Sequence, residues 1–544
     1  MDTASLLTTA RVAPEAARTY REHGHWRDDT YLDDLRGRAA HEPERTVLVD
    51  RAAGDRHEIT ASDLADRVER VAKGLRAAGV RPREAVAYQT ANRWEAVALL
   101  YACARVGAVA VPMTLALGSA QVEQRLATTG AVLAVVSGDA AAVALGETAP
   151  RLQELRTRVA LDTGPRLPAG TVAFGELVPA SASGSLHDPA DDEIGADDVA
   201  LVLFTSGTTG RSKAVMHTPN TLHASLASMV GELVDDVGTT RVLTTSVVTH
   251  VIGIMTSALG PVELGRPAVL TDARGPAELL DVVAGEHVTH LLVGPTGLDS
   301  VLDAVARGAS VPSCLRVVAL GGAPVVQPVL DKADRLPAEL RFHWGMTEVP
   351  GGGASSGHEP DGTSWHTMGH ARHGLERALD TGPEGDVGEV RVRGPQVTVG
   401  IVDSSDGSVV WTPAQDDGWF RTGDLAEVDP SGELAFVDRD SDEIKGSSGM
   451  LIPTADVEDL VVSHPDVDEA VLVAYHPGEQ AEAPAAVVVP RDGATPTLED
   501  IQSHLTERGT TSWYLPTRLE LVDHLDRDPQ GKVDKRRLRD RLDS

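Results

Sequence analysis

Residues Val199-Ala-Leu-Val-Leu-Phe204 run directly into Thr205-Ser-Gly-Thr-Thr-Gly-Arg-Ser-Lys213. A short, wholly apolar run of this kind predicts a buried β-strand. The glycines that follow it, Gly207 and Gly210, let the backbone turn and expose its N–H groups, and Lys213 adds a positive charge. Further hydrogen-bond donors are the hydroxyl groups of Thr205, Ser206, Thr208 and Thr209. The segment therefore predicts a polyphosphate-binding loop, although its spacing is not that of a P-loop NTPase.

Working outward from this loop, helix-like and strand-like segments alternate. Ser62 to Ala78 carries apolar residues at helical spacing and ends at Gly79. Short apolar runs predict buried strands at 85–88, 108–111, 131–136, 291–293 and 315–320. This alternation indicates an α/β fold with largely parallel sheets.

A different pattern follows toward the carboxyl terminus. Gly388-Glu-Val-Arg-Val-Arg393 alternates as an antiparallel or barrel strand does, and Glu433-Leu-Ala-Phe-Val437 is typical of a hairpin strand. The charged stretch that comes next marks a domain boundary. We expect a large domain, residues 1–439, with two α/β subdomains and a small barrel-like β part, and a small mobile α+β domain, residues 440–544.

Composition limits the classes of function. The 544 residues include 49 Lys and Arg against 81 Asp and Glu, a formal charge of −32, which excludes a general nucleic-acid binder. Cys103 and Cys314 lie in apolar surroundings and are expected to be buried free thiols of a reducing compartment. Neither a signal peptide nor a membrane-spanning segment is indicated, so we expect a cytoplasmic protein.

Three further motifs follow the loop in order: Leu315-Arg-Val-Val-Ala-Leu-Gly-Gly-Ala-Pro324, His343-Trp-Gly-Met-Thr-Glu348 and Asp417-Gly-Trp-Phe-Arg-Thr-Gly-Asp424. Together with Arg527-Asp-Pro-Gln-Gly-Lys-Val-Asp-Lys535 they resemble the motifs of the adenylate-forming (ANL) superfamily, in its acyl-CoA synthetase branch. The resemblance covers nearly the whole chain. Ser212 and Ala214 differ from the proline and glycine that the family usually has in its phosphate loop.

The resemblance implies a role for particular residues. Trp344 would lie against adenine, Thr347 would contact the α-phosphate and Glu348 would hold Mg²⁺. The remaining ATP and AMP contacts would be Thr205, Ser206, Gly207, Thr208, Thr209, Gly210, Lys213, Gly322, Ala323, Pro324, Gly345, Met346, Asp424 for the ribose hydroxyls, and Arg439.

In the small domain, Lys532 would be the lysine that reaches the α-phosphate and the carboxylate during adenylation. Its charge would offset the repulsion between two anions in the transition state. Ser441 would be the hinge, and the loop from Lys445 to Gly449 would line the tunnel for the pantetheine arm of CoA.

His250 is expected beside the acyl group, where it would gate the acyl and thiol tunnel. The candidate acyl pocket consists of Val248, His250, Gly253, Gly294, Gly322, Gly345 and Gly352. No carboxylate is among them to anchor an ammonium group, and the glycines leave room for a bulky, largely apolar acid.

The sequence thus predicts an AMP-forming acid:CoA ligase for a cyclic, polycyclic or aryl acid, with ATP and CoA as co-substrates and Mg²⁺ as the metal. Three alternatives stay open. The enzyme could load a carrier protein instead of CoA, or retain only the thioester-forming half-reaction on a preformed acyl-adenylate. A nucleotide-binding regulator without turnover is the third.

Overall fold

The computed structural model of the protein describes residues 9–52, 56–162, 167–178, 192–206, 212–233, 240–273, 275–322, 332–333, 336–356, 368–381, 387–428, 433–439, 444–445, 451–452, 454–477, 482–491, 493–525, 533 and 535–542. Several predicted site residues lie outside these ranges, namely Gly207, Thr208, Thr209, Gly210, Ala323, Pro324, Ser441, Gly449 and Lys532. For Ser206, Arg439 and Lys445 the backbone alone is described.

Strands and helices alternate through the first 300 residues. The strands are β1 Thr46–Asp50, β2 His57–Thr60, β3 Ala85–Gln89, β4 Val109–Met113, β5 Leu133–Ser137, β6 Thr157–Leu161, β7 Thr171–Ala173, β8 Leu201–Ser206, β9 Ser212–His217, β10 Val242–Thr244, β11 Ala268–Leu270, β12 His290–Val293, β13 Val317–Gly321, β14 Glu339–Met346, β15 Val349–Ser356, β16 Glu376–Thr381, β17 Val387–Arg393, β18 Gly400–Asp403, β19 Val409–Trp411, β20 Phe420–Val428, β21 Leu434–Arg439, β22 Ile444–Lys445, β23 Leu451–Ile452, β24 Val467–Tyr475, β25 Ala483–Pro490 and β26 Arg518–Leu521.

The helices are α1 Pro14–Glu22, α2 Tyr31–His41, α3 Ala61–Ala77, α4 Trp94–Arg105, α5 Ser119–Thr129, α6 Asp139–Thr148, α7 Phe174–Leu177, α8 Pro219–Leu233, α9 Val251–Gly253, α10 Gly260–Glu263, α11 Pro276–Gly285, α12 Pro295–Ala306, α13 Thr454–Val462, α14 Leu498–Glu507 and α15 Lys535–Leu542. A π-helical segment, Ile254–Leu259, joins α9 to α10. The helix predicted at 62–78 is therefore confirmed as α3, which begins at a capping box formed by Thr60 and Asp63.

Two large sheets form the α/β part. One has nine strands in the order β19-β18-β9-β8-β4-β3-β5-β6-β7, and the other has eight in the order β15-β14-β13-β12-β10-β11-β1-β2. Their central strands are parallel. Antiparallel strands stand at both edges of the eight-stranded sheet and at the β19 edge of the nine-stranded sheet, whose other edge is the parallel pair β6 and β7. Every residue of β3 and β4 is buried, as expected of parallel strands covered on both faces.

The carboxyl-terminal third is mainly antiparallel. Strands β16-β17-β20-β21 form a four-stranded sheet, and in β17 buried positions alternate with more exposed ones, as predicted from 388–393. Strands β24-β25-β26 form a separate sheet that packs with α13 and α15. These observations confirm the predicted α/β fold class with a smaller α+β unit at the end.

Two glycines bring the end of α14 against the start of α5. A Cβ atom on Gly118 would overlap the carbonyl oxygen of Gly509, and one on Gly509 would overlap the Ser119 hydroxyl group. Gly509 also has a φ of +80°, which favours glycine. The carboxyl-terminal unit therefore approaches the nine-stranded part of the molecule at the level of backbone contact.

Both cysteines are free, with Cys103 buried and Cys314 half-buried. Burial raises the pKa of the Cys103 thiol well above its ordinary value, so this group is unreactive. Within the described ranges, no helix is long and apolar enough to cross a membrane.

A buried ion pair joins α3 to α4. Arg105 Nε donates to Glu69 Oε2 at 2.9 Å, both side chains are buried, and Arg105 also pairs with Glu193, which Arg36 contacts from α2. Removing one member of such a pair leaves a charge buried without its partner.

We expect Arg105→Met to lower the free energy of unfolding by about 3–5 kcal/mol in denaturant titrations. The double variant Glu69→Met/Arg105→Met should recover part of that loss because it removes the stranded Glu69 charge, while Glu193 keeps Arg36. A double variant no more stable than the single one would contradict this account.

Candidate active site

The predicted pocket residues gather at one edge of the eight-stranded sheet. Strands β10, β12, β13 and β14 are parallel neighbours, so their carboxyl ends lie side by side. Four predicted site residues lie at or just after these ends: His250, Gly294, Gly322 and Trp344. Ligands of open α/β sheets bind at this edge.

The predicted phosphate loop is the connection of a hairpin. Thr205 of β8 pairs with Lys213 of β9, and Ser206 pairs with Ser212, so residues 207–211 link two antiparallel strands. The Thr205 hydroxyl oxygen is enclosed and has no hydrogen-bond partner among the residues the structure describes. Since buried hydroxyl groups are normally paired, this oxygen fits a group that meets a ligand.

Thr347 and Glu348 form the turn between β14 and β15. Met346 pairs with Val349 across it, and the Glu348 side chain is 6% exposed. The turn is fixed from the nine-stranded sheet, since His217 Nε2 donates to the Thr347 carbonyl oxygen at 2.8 Å. The backbone N–H of Thr398 donates to the Glu348 carbonyl oxygen at 2.9 Å.

The imidazole of His217 is neutral at physiological pH. Its side chain is fully buried, and burial lowers its pKa from 6.5 to about 4, although the bond to Thr347 opposes this change. Because a carbonyl oxygen only accepts, Nε2 carries the proton, and Nδ1 faces the Thr221 hydroxyl group at 3.1 Å.

Trp344 and Asp424 connect the eight-stranded and four-stranded sheets. The indole Nε1–H donates to Asp424 Oδ2 at 2.8 Å, and the Asp424 side chain is buried. Arg439 stands directly opposite Asp424 in the β20–β21 pairing, so the structure brings these three predicted nucleotide contacts together in space.

The glycines of the predicted acyl pocket have two kinds of surroundings. No described atom lies within 4 Å of a Cβ placed on Gly294 or Gly322. A Cβ on Gly352 would lie 2.5 Å from Cζ3 of Trp344, and one on Gly253 would overlap the Val247 carbonyl. Gly345 is similarly close to the backbone of β15. Among the described residues, space is therefore left beside Gly294 and Gly322, while the other three glycines permit close packing.

His250 comes immediately before α9, at the end of a loop held by Asn92. Asn92 Oδ1 accepts the backbone N–H of Val248 at 2.7 Å, and Val248 is buried. The His250 ring keeps an accessible surface although protein atoms surround it, as expected of a side chain that lines a recess. This surrounding protein lowers the pKa of His250 below its ordinary value.

The residues that support the Thr347–Glu348 turn and the loop before His250 were not predicted from the sequence. His217, Thr398 and Asn92 act on backbone groups far away in sequence, and no local pattern specifies such partners. A weak signal was present at the end of β9, where Pro219 and Asn220, two residues that strands disfavour, come soon after His217.

Comparisons with known proteins show the family to which the chain is related. Residues 35–402 match the family model of the AMP-binding enzyme, and residues 456–532 match that of the AMP-binding enzyme C-terminal domain. The chain is 30% identical over 492 residues to a feruloyl-CoA synthase of Amycolatopsis sp, which covers 89% of this chain and 94% of the relative.

A second relative is a salicylyl-CoA synthase / salicylate adenylyltransferase of Streptomyces sp, 30% identical over 550 residues, with 97% of this chain and 96% of the relative covered. Among solved structures, an amide bond synthetase from Marinactinospora thermotolerans has a TM-score of 0.77 at 25% identity. That match covers 95% of this chain and all of the other.

The burial of His217 leads to a prediction about how the stability of the protein depends on pH. The pKa of His217 is lower in the folded protein than in the unfolded protein. Between pH 6.5 and 4 the unfolded protein therefore binds more protons at this residue than the folded protein does. The stability that neutral His217 contributes is complete above pH 6.5 and is lost as the pH falls toward 4, by about 3 kcal/mol at most.

His217→Gln keeps a donor for Thr347 and does not titrate. We expect the wild type to lose more free energy of unfolding than this variant between pH 7 and pH 4.5, as measured by urea titration. Other groups titrate equally in both proteins, so parallel pH profiles would contradict the assignment.

Proposed function

We propose that this chain, which belongs to the AMP-binding enzyme family and is an AMP-forming acid-thiol ligase, activates a bulky, largely apolar aryl, cyclic or polycyclic acid and transfers it to CoA. One observation carries the proposal. The space that the described residues leave beside Gly294 and Gly322 and the Thr347–Glu348 turn lie at the same edge of the eight-stranded sheet. The acid and the nucleotide would meet there.

The nucleotide would lie along the β8–β9 hairpin and the β14–β15 turn. Thr205 and Lys213 would contact the phosphates, and Asp424 would accept hydrogen bonds from the ribose hydroxyl groups. Asp424 suits this role because its Oδ2 is fixed by Trp344. A carboxylate held in one orientation loses less conformational entropy when a ligand binds.

Mg²⁺ fits the donor that Glu348 offers. This ion prefers oxygen ligands and is usually bound through one or two carboxylates together with substrate phosphates. Within the described ranges, no cluster of three metal-binding side chains occurs. When bound, the ion would neutralise phosphate charge.

The chemistry would proceed in two steps. A carboxylate oxygen of the acid attacks the α-phosphorus of ATP and pyrophosphate leaves, with Lys532 offsetting the negative charge. The CoA sulfur then attacks the acyl carbonyl carbon and AMP leaves. Lys445 and Gly449 would border the thiol path, and Ser441 would be the hinge between the two arrangements.

The acid pocket would have apolar walls. Val248, Leu292 and Ala319 are buried in one hydrophobic cluster that reaches the carboxyl edge of the sheet. The feruloyl and salicylyl substrates in the names of the two relatives are aryl acids, which supports an aryl or cyclic acid here. His250, at the recess, would control access of the thiol.

The test is mass spectrometry of products from purified protein with Mg²⁺, CoA and a panel of acids. Each acid is offered as free acid with ATP and as preformed acyl-adenylate. We expect acyl-CoA from both forms for aryl or polycyclic acids, and little from acetate or propionate. A holo carrier protein in place of CoA identifies a carrier-loading enzyme.

Lys532→Ala tests the assignment of the two steps. It should lower acyl-CoA formation from free acid and ATP by about 100-fold or more, and leave formation from the acyl-adenylate within a few-fold. Lys535→Ala is the matched control, since Lys535 Nζ bonds Glu458 at 2.9 Å in a structural contact. Equal losses in both assays, or no acyl-adenylate with any acid, would contradict the proposal.

Trp344→Phe tests the fixed Asp424 carboxylate. Phenylalanine keeps an aromatic face but removes a hydrogen bond to a charged acceptor, so we expect KM for ATP to rise about 10-fold. Trp411→Phe is the control, because Trp411 Nε1 donates to the Trp419 carbonyl oxygen at 3.1 Å away from this carboxylate. An unchanged KM in Trp344→Phe would show that the bond does not serve nucleotide binding.

A further inference from the structure

The Thr347–Glu348 turn lacks the backbone geometry that two-residue hairpin loops usually have. Met346 pairs with Val349, so the loop between β14 and β15 consists of these two residues alone. The favoured turns of such loops need a positive φ at one or both loop residues, and neither Thr347 nor Glu348 has one. Turns without it splay the two strands. The local sequence therefore does not hold this turn in one shape.

The strand pairing next to the turn is also irregular. Trp344 pairs with Gly353, and the next pair is Met346 with Val349, so a step of two residues in β14 is matched by a step of four in β15. Such a bulge interrupts the ladder of hydrogen bonds and increases the local twist. The turn thus depends on hydrogen bonds from outside its own hairpin.

The two carbonyl groups of the turn receive these bonds from residues that flank β9 and β18. The backbone N–H of Thr398, two residues before β18, donates to the Glu348 carbonyl oxygen at 2.9 Å. His217 Nε2 donates to the Thr347 carbonyl oxygen at 2.8 Å. Because a peptide unit is planar, a bound carbonyl oxygen fixes the plane that joins Thr347 to Glu348 and limits the directions open to both side chains.

The imidazole of His217 is itself held in place. His217 is the last residue of β9 and is fully buried. Its Nδ1 lies 3.1 Å from the hydroxyl oxygen of Thr221, whose one proton can go to Nδ1 or to the Thr218 carbonyl oxygen at 3.0 Å. Donation to Nδ1 keeps the imidazole proton on Nε2, where the Thr347 carbonyl group accepts it. A buried side chain supported by a further hydrogen bond is suited to hold an active group with precision.

We propose that His217 is a positioning residue for the first half-reaction, because its bond to the Thr347 carbonyl group sets the turn for MgATP. The inference rests on the proposed function, which assigns Thr347 to the α-phosphate and Glu348 to Mg²⁺. His217 acts through the backbone of the turn and takes no part in a bond-forming step. A reacting group misplaced by about 1 Å can lower a rate about 100-fold, so the loss of this bond is measurable.

The experiment compares three variants with the wild type. His217→Phe removes the donor, and His217→Gln keeps an N–H donor for Thr347. His290→Phe is the matched control, since His290 is a buried histidine at the amino end of β12, away from the edge that carries the turn. Thermal unfolding identifies a temperature at which all four proteins are folded.

Three quantities are measured at that temperature. The first is the Kd for MgATP by calorimetry without acid. The second is the rate of acyl-adenylate formation in single turnovers without CoA, with MgATP, Mg²⁺ and an aryl acid varied separately. The third is the rate of acyl-CoA formation from preformed acyl-adenylate.

We expect His217→Phe to weaken MgATP binding and to lower kcat/KM for MgATP in acyl-adenylate formation by about 10- to 100-fold. The Mg²⁺ concentration that gives half the maximal rate should rise, since Glu348 is on the same turn. The KM for the acid and the rate from preformed acyl-adenylate should stay within a few-fold of the wild type. His217→Gln should recover most of the loss, and His290→Phe should match the wild type.

A structural role for His217 gives a different pattern. Equal losses in all three quantities, or a His217→Gln variant as impaired as His217→Phe, would overturn the inference. Thr221→Val keeps the imidazole but removes the partner of Nδ1, so it should show the same selective loss for MgATP at smaller size. This variant tests the inference if His217→Phe does not fold, and an unchanged kcat/KM for MgATP in it would then contradict the inference.

The two proposals fail in different ways. If the wild type forms acyl-adenylate but His217→Phe keeps the wild-type kcat/KM for MgATP, the positioning inference alone is wrong. If MgATP binding depends on His217 as expected but no acid gives acyl-adenylate or AMP, the proposed function alone is wrong. Absence of MgATP binding in the wild type overturns both.

Discussion

The turn that carries Thr347 and Glu348 is part of the eight-stranded sheet and is also hydrogen-bonded to the nine-stranded sheet. It connects β14 and β15 of the eight-stranded sheet. Its carbonyl groups accept hydrogen bonds from His217, the last residue of β9, and from Thr398, just before β18, and both strands belong to the nine-stranded sheet. These bonds hold the backbone of the turn against the nine-stranded sheet. Because the β8–β9 hairpin is in the nine-stranded sheet, the same constraint sets the turn relative to the predicted phosphate loop.

Glycine has opposite uses within this one site. Gly352 lets the Trp344 ring lie flat against β15, so that the indole N–H reaches Asp424 in a third sheet. Gly253, the last residue of α9, lets this short helix pack against the preceding loop at Val247. Gly294 and Gly322 instead leave space beside the sheet edge. The number of glycines in a pocket is therefore a poor measure of its volume, since close packing accounts for some of them.

The predictions from sequence were accurate where a local physical rule applies. Continuous apolar runs predicted the buried parallel strands, and apolar residues at helical spacing that end at Gly79 predicted α3. The family resemblance of the ordered motifs predicted nucleotide contacts at Trp344, Asp424 and Arg439; these residues lie near one another, and their roles stay predictions. The support from His217 and Asn92 could not be predicted, because it depends on which carbonyl or N–H group the fold brings near.

The unusual feature of the site is its use of uncharged imidazoles in a strongly acidic chain. His217 holds the Thr347 carbonyl group, and His343 lies on β14 opposite Gly321; burial lowers the pKa of both to about 4. Neither ring changes charge between pH 6 and 8, so neither adds a charge that would attract or repel an anionic acid or nucleotide. Under the proposed function, electrostatic attraction to those anions would then come from Lys213, Mg²⁺ and Lys532, while the neutral imidazole of His217 holds the Thr347 carbonyl group in place.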